Sequence, residues 1–244
     1  MNNPAPLLTA EWRNLILLNY RIEPDLLAPY IPPGTELDCW NEQAYISLVG
    51  FMFLNTRVAG IAIPFHTNFE EVNLRFYVRR KTGDTWQRGV VFIREFVPRF
   101  AIAAVADLLY GEKYSSLPMR HSGVTTGQIP CQGDRLEYGW KLHGKWNHLG
   151  VRISGSPQYA LPGSEEEFIT EHYWGYSEQR SGASLEYRVE HPSWRLWQVS
   201  ESSLECDVER IYGPHFVISL KAAPASAFLA EGSHVAVYPG LRIT

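Results

Sequence analysis

Three cysteines in 244 residues, Cys39, Cys131 and Cys206, stand far apart and form no Cys-x-x-Cys pair. This spacing indicates neither a disulfide framework nor a zinc site, and reduced thiols in a cytoplasmic protein are the simplest account. No apolar run approaches the ~18 residues that cross a membrane. The opening Met-Asn-Asn-Pro-Ala-Pro lacks the basic and apolar regions of a signal peptide, so a cytoplasmic location is expected. Gly-x-Ser-x-Gly, Gly-x-Gly-x-x-Gly and Walker-type loops are absent, which leaves serine-nucleophile chemistry and nucleotide cofactors without support; no cofactor is expected. A net charge of -4, with one short basic cluster at Arg79-Arg80-Lys81, argues against a nucleic-acid partner.

What the chain does have is aromatic mass, with eight Trp and thirteen Tyr, which suits sheet surfaces and cavity walls. The most informative stretch is Glu70 to Arg80. A period of two puts Glu71, Asn73, Arg75 and Tyr77 on one face of a strand and Val72, Leu74, Phe76 and Val78 on the other. Both faces carry bulky side chains, so this is not an edge strand with one wet side. A carboxylate, an amide and a guanidinium in one row suit the polar wall of a cavity. Taken alone, the row fits first an ordinary amphipathic strand whose polar face meets solvent and whose Glu71 and Arg75 pair across it.

Alternating or continuous apolar runs predict strands over Leu15–Tyr20, Leu37–Trp40, Ala44–Leu54, Trp86–Val97, Tyr173–Ser177, Ala183–Val189, Trp194–Val199 and Phe216–Leu220, and a hairpin or meander over Leu136–Ile153. Pro24 opens a short helix that Pro32-Pro33-Gly34 stops. The alanine-rich Phe100–Tyr110 reads as a buried helix and the longest of the chain. Ser164 with Glu167 forms a capping box, giving a helix that ends near His172. No linker or repeat interrupts the chain, so one domain over 1–244 is expected, mainly β (α+β), with a closed or partly closed barrel-like sheet and a few outer helices. Among the eight His, His143 and His148 lack metal-motif spacing, whereas His66, His172 and His191 are left to meet in space. His172 reads as a charge at a helix C-terminus, and His191-Pro192 as a turn.

Several segments together resemble one family: Glu11-Trp12-Arg13-Asn14-Leu15, Pro32-Pro33-Gly34, Phe69 to Val78, Leu109-Tyr110-Gly111, Glu167 to Glu171 and Glu190 to Trp194. In that order they are similar to the YqjF-like family, the domain of unknown function 2071, over about Ala10 to Ile243. The resemblance implies a fold like that of acetoacetate decarboxylase, a barrel-like antiparallel sheet around a small-molecule pocket. Carried over by position, the decarboxylase pocket arginine corresponds to Arg13 and its pocket acid to Glu71. The Gly-x-Pro-Lys step reads Gly111-Glu112-Lys113-Tyr114, which puts Tyr114 in the lysine slot and Lys113 in the proline slot. Tyr114 cannot form an imine, so decarboxylation through a lysine Schiff base is not expected.

The leading reading is a pocket holding a small anionic molecule through Arg13, Asn73, Arg75, Tyr114 and Lys113, with Glu71 as the acid or base of any reaction on a small organic acid. The same pocket in a non-catalytic sensor or carrier is the second reading. An interaction protein with a filled barrel is the third. Homo-oligomerisation is compatible with all three.

Overall fold

A computed structural model describes residues 4–98, 114–123, 129–179 and 181–243. The helix expected at 100–110 and Lys113 lie outside them. The strands in chain order are β1 (Leu8–Ile22), β2 (Glu36–Leu37), β3 (Ala44–Val58), β4 (Phe69–Thr82), β5 (Thr85–Val97), β6 (Tyr114–Ser116), β7 (Met119–Ser122), β8 (Arg135–Leu142), β9 (Lys145–Tyr159), β10 (Trp174–Glu178), β11 (Ser184–Glu190), β12 (Arg195–Glu205), β13 (Ser226–Val237) and β14 (Leu241–Arg242). The described helices are short: α1 (Pro24–Leu27), α2 (Glu165–Thr170), α3 (Val208–Tyr212) and α4 (Val217–Lys221).

The hydrogen-bonded order β11-β10-β5-β4-β3-β1-β13 returns to its start through Val189↔Val237 and Glu190↔Ala236, closing a ring. The ring is mostly antiparallel, but β10 runs parallel to β5. From β13 the sheet continues through β12, β9, β8 and β7. This extension packs over the outside of the ring: Tyr138, Trp140, Leu149 and Val151 join Ile16, Leu48, Leu74 and Phe76 in one core. A second core lies inside the ring, built from Leu15, Val49, Phe51, Phe53, Phe69 and Tyr77. The strand β4 therefore separates two cores, and its alternation assigns Val72, Leu74, Phe76 and Val78 to the outer one.

One end of the ring is stoppered by a buried polar chain. Ser47 Oγ donates to Asn19 Oδ1 (2.6 Å) and meets Tyr77 Oη at 2.5 Å. Asn19 Nδ2 donates to Ser226 Oγ (2.9 Å), which in turn donates to Glu165 on α2; Tyr45 Oη reaches the same carboxylate at 3.1 Å. Helix α2 is capped as expected, with Glu167 N donating to Ser164 Oγ at 3.2 Å, but it ends at Thr170. Two arginines rising from the ring then take its last carbonyls: Arg88 reaches Phe168 O and Arg75 reaches Ile169 O, the arrangement favoured at the negative pole of a helix.

Several expectations need correction. Phe216–Leu220 is a 3-10 turn running into α4, because Phe216 and Leu220 are buried four residues apart while Ile218 between them is exposed. The strand β13 went unread because Ala, Ser and Gly dilute its apolar pattern. Where β13 meets β1, Gly232 has φ +78 and a Cβ there would lie 2.0 Å from Trp12 O, so only glycine fits. Opposite it, Asn14 has φ 56 and the β1–β3 register shifts between Arg13 and Ile16.

The polar stopper makes a stability prediction. Asn19→Ala strips Ser47 and Ser226 of a buried partner and should cost about 1–3 kcal/mol in urea unfolding. A loss below about 0.5 kcal/mol would mean the chain does not hold the ring end together.

Candidate functional site

Inside the ring, beyond the stopper, lies a cavity of about 110 Å³. The inner row of β4 supplies its polar wall, with Glu71, Asn73 and Arg75 all lining it and all buried. Four residues along a strand span roughly 13 Å, so Glu71 and Arg75 sit too far apart to pair with each other. Glu71 instead accepts from Asn73 Nδ2 (2.9 Å) on one oxygen and from Tyr114 Oη (3.2 Å) on the other. Tyr114 arrives on β6, which runs parallel to β5 with Tyr114 beside Glu95. Glu95 is fully buried, lies opposite Asn73 across the β4–β5 ladder and lines the same cavity. A carboxylate amid Val90-Val91-Phe92-Ile93 and Phe96-Val97 was a readable signal that the strand pattern alone passed over.

Arg75 is the most telling group. It makes no ion pair among the described residues, its Nε is buried without a hydrogen-bond partner, and its Nη2 reaches Ile169 O at a long 3.3 Å. Its guanidinium lies 5.8 Å from the Tyr77 ring. Asn73 Oδ1 is likewise buried without a partner.

His172 faces the same space. It is not a helix-end charge: two residues past α2 it is buried, stacked on Tyr77 at 4.7 Å and edge-on to Phe168 at 5.7 Å. Burial pushes its pKa well below the usual histidine value, and the nearby Arg88 and Arg75 push it further, so the ring is neutral. Among the described residues neither ring nitrogen meets a partner at good hydrogen-bond geometry. His191 also lines the cavity, stacked on Trp194 at 4.2 Å, with Nε2 3.4 Å from His172 O; it lies in the extended segment between β11 and β12 rather than in a turn. His66 lies apart from both, in the β3–β4 loop with Nδ1 2.8 Å from Pro64 O. Among the described residues no three His, Cys, Asp or Glu side chains are grouped to hold a metal ion.

Arg13 does not join this site. It pairs with Glu11 (2.8 Å), donates to Gly232 O (3.1 Å) and stays partly exposed, while its neighbours Trp12 and Leu15 line the cavity. The bulge at Asn14 breaks the alternation that a continuous β1 would have had.

The neutral His172 gives a pH prediction. Its folded pKa lies below the unfolded value of about 6.5, so the unfolded chain takes up a proton that the folded chain refuses. Stability attributable to His172 is thus present at neutral pH and lost as pH falls below about 6.5, by up to about 1.4 kcal/mol per pH unit. His172→Phe keeps the stacking on Tyr77 and should flatten the fall in urea-unfolding stability between about pH 7 and pH 5. An unchanged slope would mean that His172 protonates freely in the fold.

Comparison with known proteins places this geometry in context. The chain is 25% identical over 219 residues to the uncharacterized protein YqjF of Bacillus subtilis (strain 168), covering 87% of this chain and 83% of that one. Among solved structures it resembles the enduracididine biosynthesis enzyme MppR complexed with pyruvate (TM-score 0.68, 14% identity, 100% of this chain and 92% of that one). It also resembles acetoacetate decarboxylase from Legionella pneumophila (TM-score 0.67, 14% identity, 100% and 90%). At such identities these two structures establish the fold alone, an acetoacetate-decarboxylase-like barrel. The model of the family DUF2071, described as an uncharacterized conserved protein, matches residues 9–234, and the chain belongs to that family.

Proposed function

We propose that the cavity binds a small organic acid, with the carboxylate on Arg75 and the Glu71–Asn73–Tyr114 group beside the ligand body. The observation that carries this reading is the buried Arg75, which has no ion pair among the described residues and whose Nε makes no hydrogen bond there. Burying a guanidinium costs several kcal/mol unless an anion and full hydrogen bonding offset it. A ligand carboxylate supplies both, through charge-assisted bonds to the free Nε and its neighbouring N–H groups. Pyruvate and acetoacetate, named with two proteins of the same fold, are small carboxylic acids, which supports the ligand class.

If a reaction occurs, Glu71 is the proton-transfer group, because its two oxygens are already oriented by Asn73 and Tyr114. The non-catalytic reading draws on Tyr114 itself: a phenol bonded to Glu71 stands in the slot where a Schiff-base amine would be needed. A filled barrel loses ground to the cavity. The three free thiols accord with the cytoplasmic setting this reading assumes.

Calorimetric titration with a panel of monocarboxylates tests the proposal. At least one acid should bind saturably, and Arg75→Gln should weaken it by about 10- to 100-fold, the worth of a charged hydrogen-bonded contact. Glu71→Gln should leave affinity within a few-fold; loss of product formation in that variant alone would mark an enzyme. Equal affinity in Arg75→Gln would defeat the assignment of the carboxylate to Arg75.

A further inference from the structure

The cavity is polar at one end and aromatic at the other, and the two ends are ordered by the β3–β4 register. Arg75 lies opposite Ser47, which belongs to the buried stopper, and His172 stacks on the neighbouring Tyr77. This end is closed. Moving along β4, Asn73 faces Val49, Glu71 faces Phe51 and Phe69 faces Phe53. Six residues separate Arg75 from Phe69, roughly 20 Å of strand.

The far end is a continuous aromatic wall. Phe53 stacks on Phe69 at 4.8 Å, and Trp12 meets Phe51, Phe53 and Trp194 edge-on at 5.5, 5.9 and 6.3 Å. Leu8, Trp12 and Val58 at this end are partly exposed, whereas the polar row is buried, so a ligand enters past the aromatic wall and meets Arg75 last. Trp12 Nε1 is buried without a hydrogen-bond partner, which provides for an acceptor atom at the apolar end as well.

We infer that the ligand is an amphiphilic monocarboxylate with a long apolar body ending in a ring, seated head-first with its carboxylate on Arg75 and its ring against the Trp12–Phe53–Phe69 wall. This rests on the reading of Arg75 as the carboxylate site and adds the chemistry of the rest of the molecule. A two- or three-carbon acid would satisfy Arg75 and leave the aromatic wall without a partner. A ring covers that wall, excludes water from the charged end and strengthens the ion pair there. An oxygen on the far side of the ring would answer the indole N–H.

Titration of the full chain with octanoate, 8-phenyloctanoate and 8-phenyloctylamine, long enough to bridge that span, separates the possibilities. The expected result is that 8-phenyloctanoate binds at least tenfold tighter than octanoate, quenches tryptophan fluorescence, and loses its affinity in Arg75→Gln, while the amine binds at least tenfold more weakly. Equal affinity for the two acids, both lost in Arg75→Gln, would overturn the inference and leave the carboxylate site standing. An amine that binds as tightly as the acid would overturn the head-first orientation. Absence of saturable binding by either acid at millimolar concentration would overturn both readings.

Discussion

A strand buried on both faces must find partners for its polar side chains inside the protein, and β4 imposes that condition on everything around it. Its outer row, Val72 to Val78, is satisfied by the extension of the sheet through Tyr138, Trp140 and Leu149. Its inner row is not apolar, so the ring cannot simply fill with hydrocarbon. Each inner group gets a different solution. Tyr77 enters the stopper through Ser47, Glu71 is held by Asn73 and Tyr114, and Arg75 reaches the end of α2 with one long bond. The last is the weakest compensation in the set, and the cavity opens beside it.

The two arginines at the end of α2 show how different such compensation can be. Arg88 donates to Phe168 O and also forms a 2.6 Å contact with Asp38, a short charged pair that neutralises it within the fold. Arg75 caps the neighbouring carbonyl but has no carboxylate among the described residues. Both cations bear on His172 and help keep it neutral. The end of α2 thereby carries one paired and one unpaired guanidinium beside an uncharged imidazole, and the cavity next to it is also lined by Glu71 and Glu95.

Much of this was legible from the residues. The period-two row in β4 identifies both its faces, because every position from Glu71 to Val78 carries a side chain whose polarity is unambiguous. Ser164 and Glu167 mark the start of α2, although Glu167 Oε2 accepts from Gly163 N rather than from the cap residue itself. Arg13 was misplaced because a left-handed Asn14 shifts the register within β1, and a bulge leaves no mark in a pattern of alternating residues. His172 was read from its distance to the helix end, whereas its state is set by Tyr77, Phe168 and two arginines brought in from other strands. Ring closure depends on β11 meeting β13 about fifty residues later in the chain through two residue pairs, which no local periodicity encodes.

The central proposal is that Arg75, which has no carboxylate partner among the described residues, is held buried for the sake of an anion. It is tested most directly in the ligand-free protein by comparing Arg75→Met with Arg88→Met in urea unfolding. On this proposal, removing Arg75, a buried cation with no ion pair among the described residues, should leave stability within about 1 kcal/mol of the parent chain or raise it. Removing Arg88 leaves the buried Asp38 without its partner and should cost about 1–3 kcal/mol. A loss in Arg75→Met as large as that in Arg88→Met would contradict the account and make Arg75 a structural cap of α2.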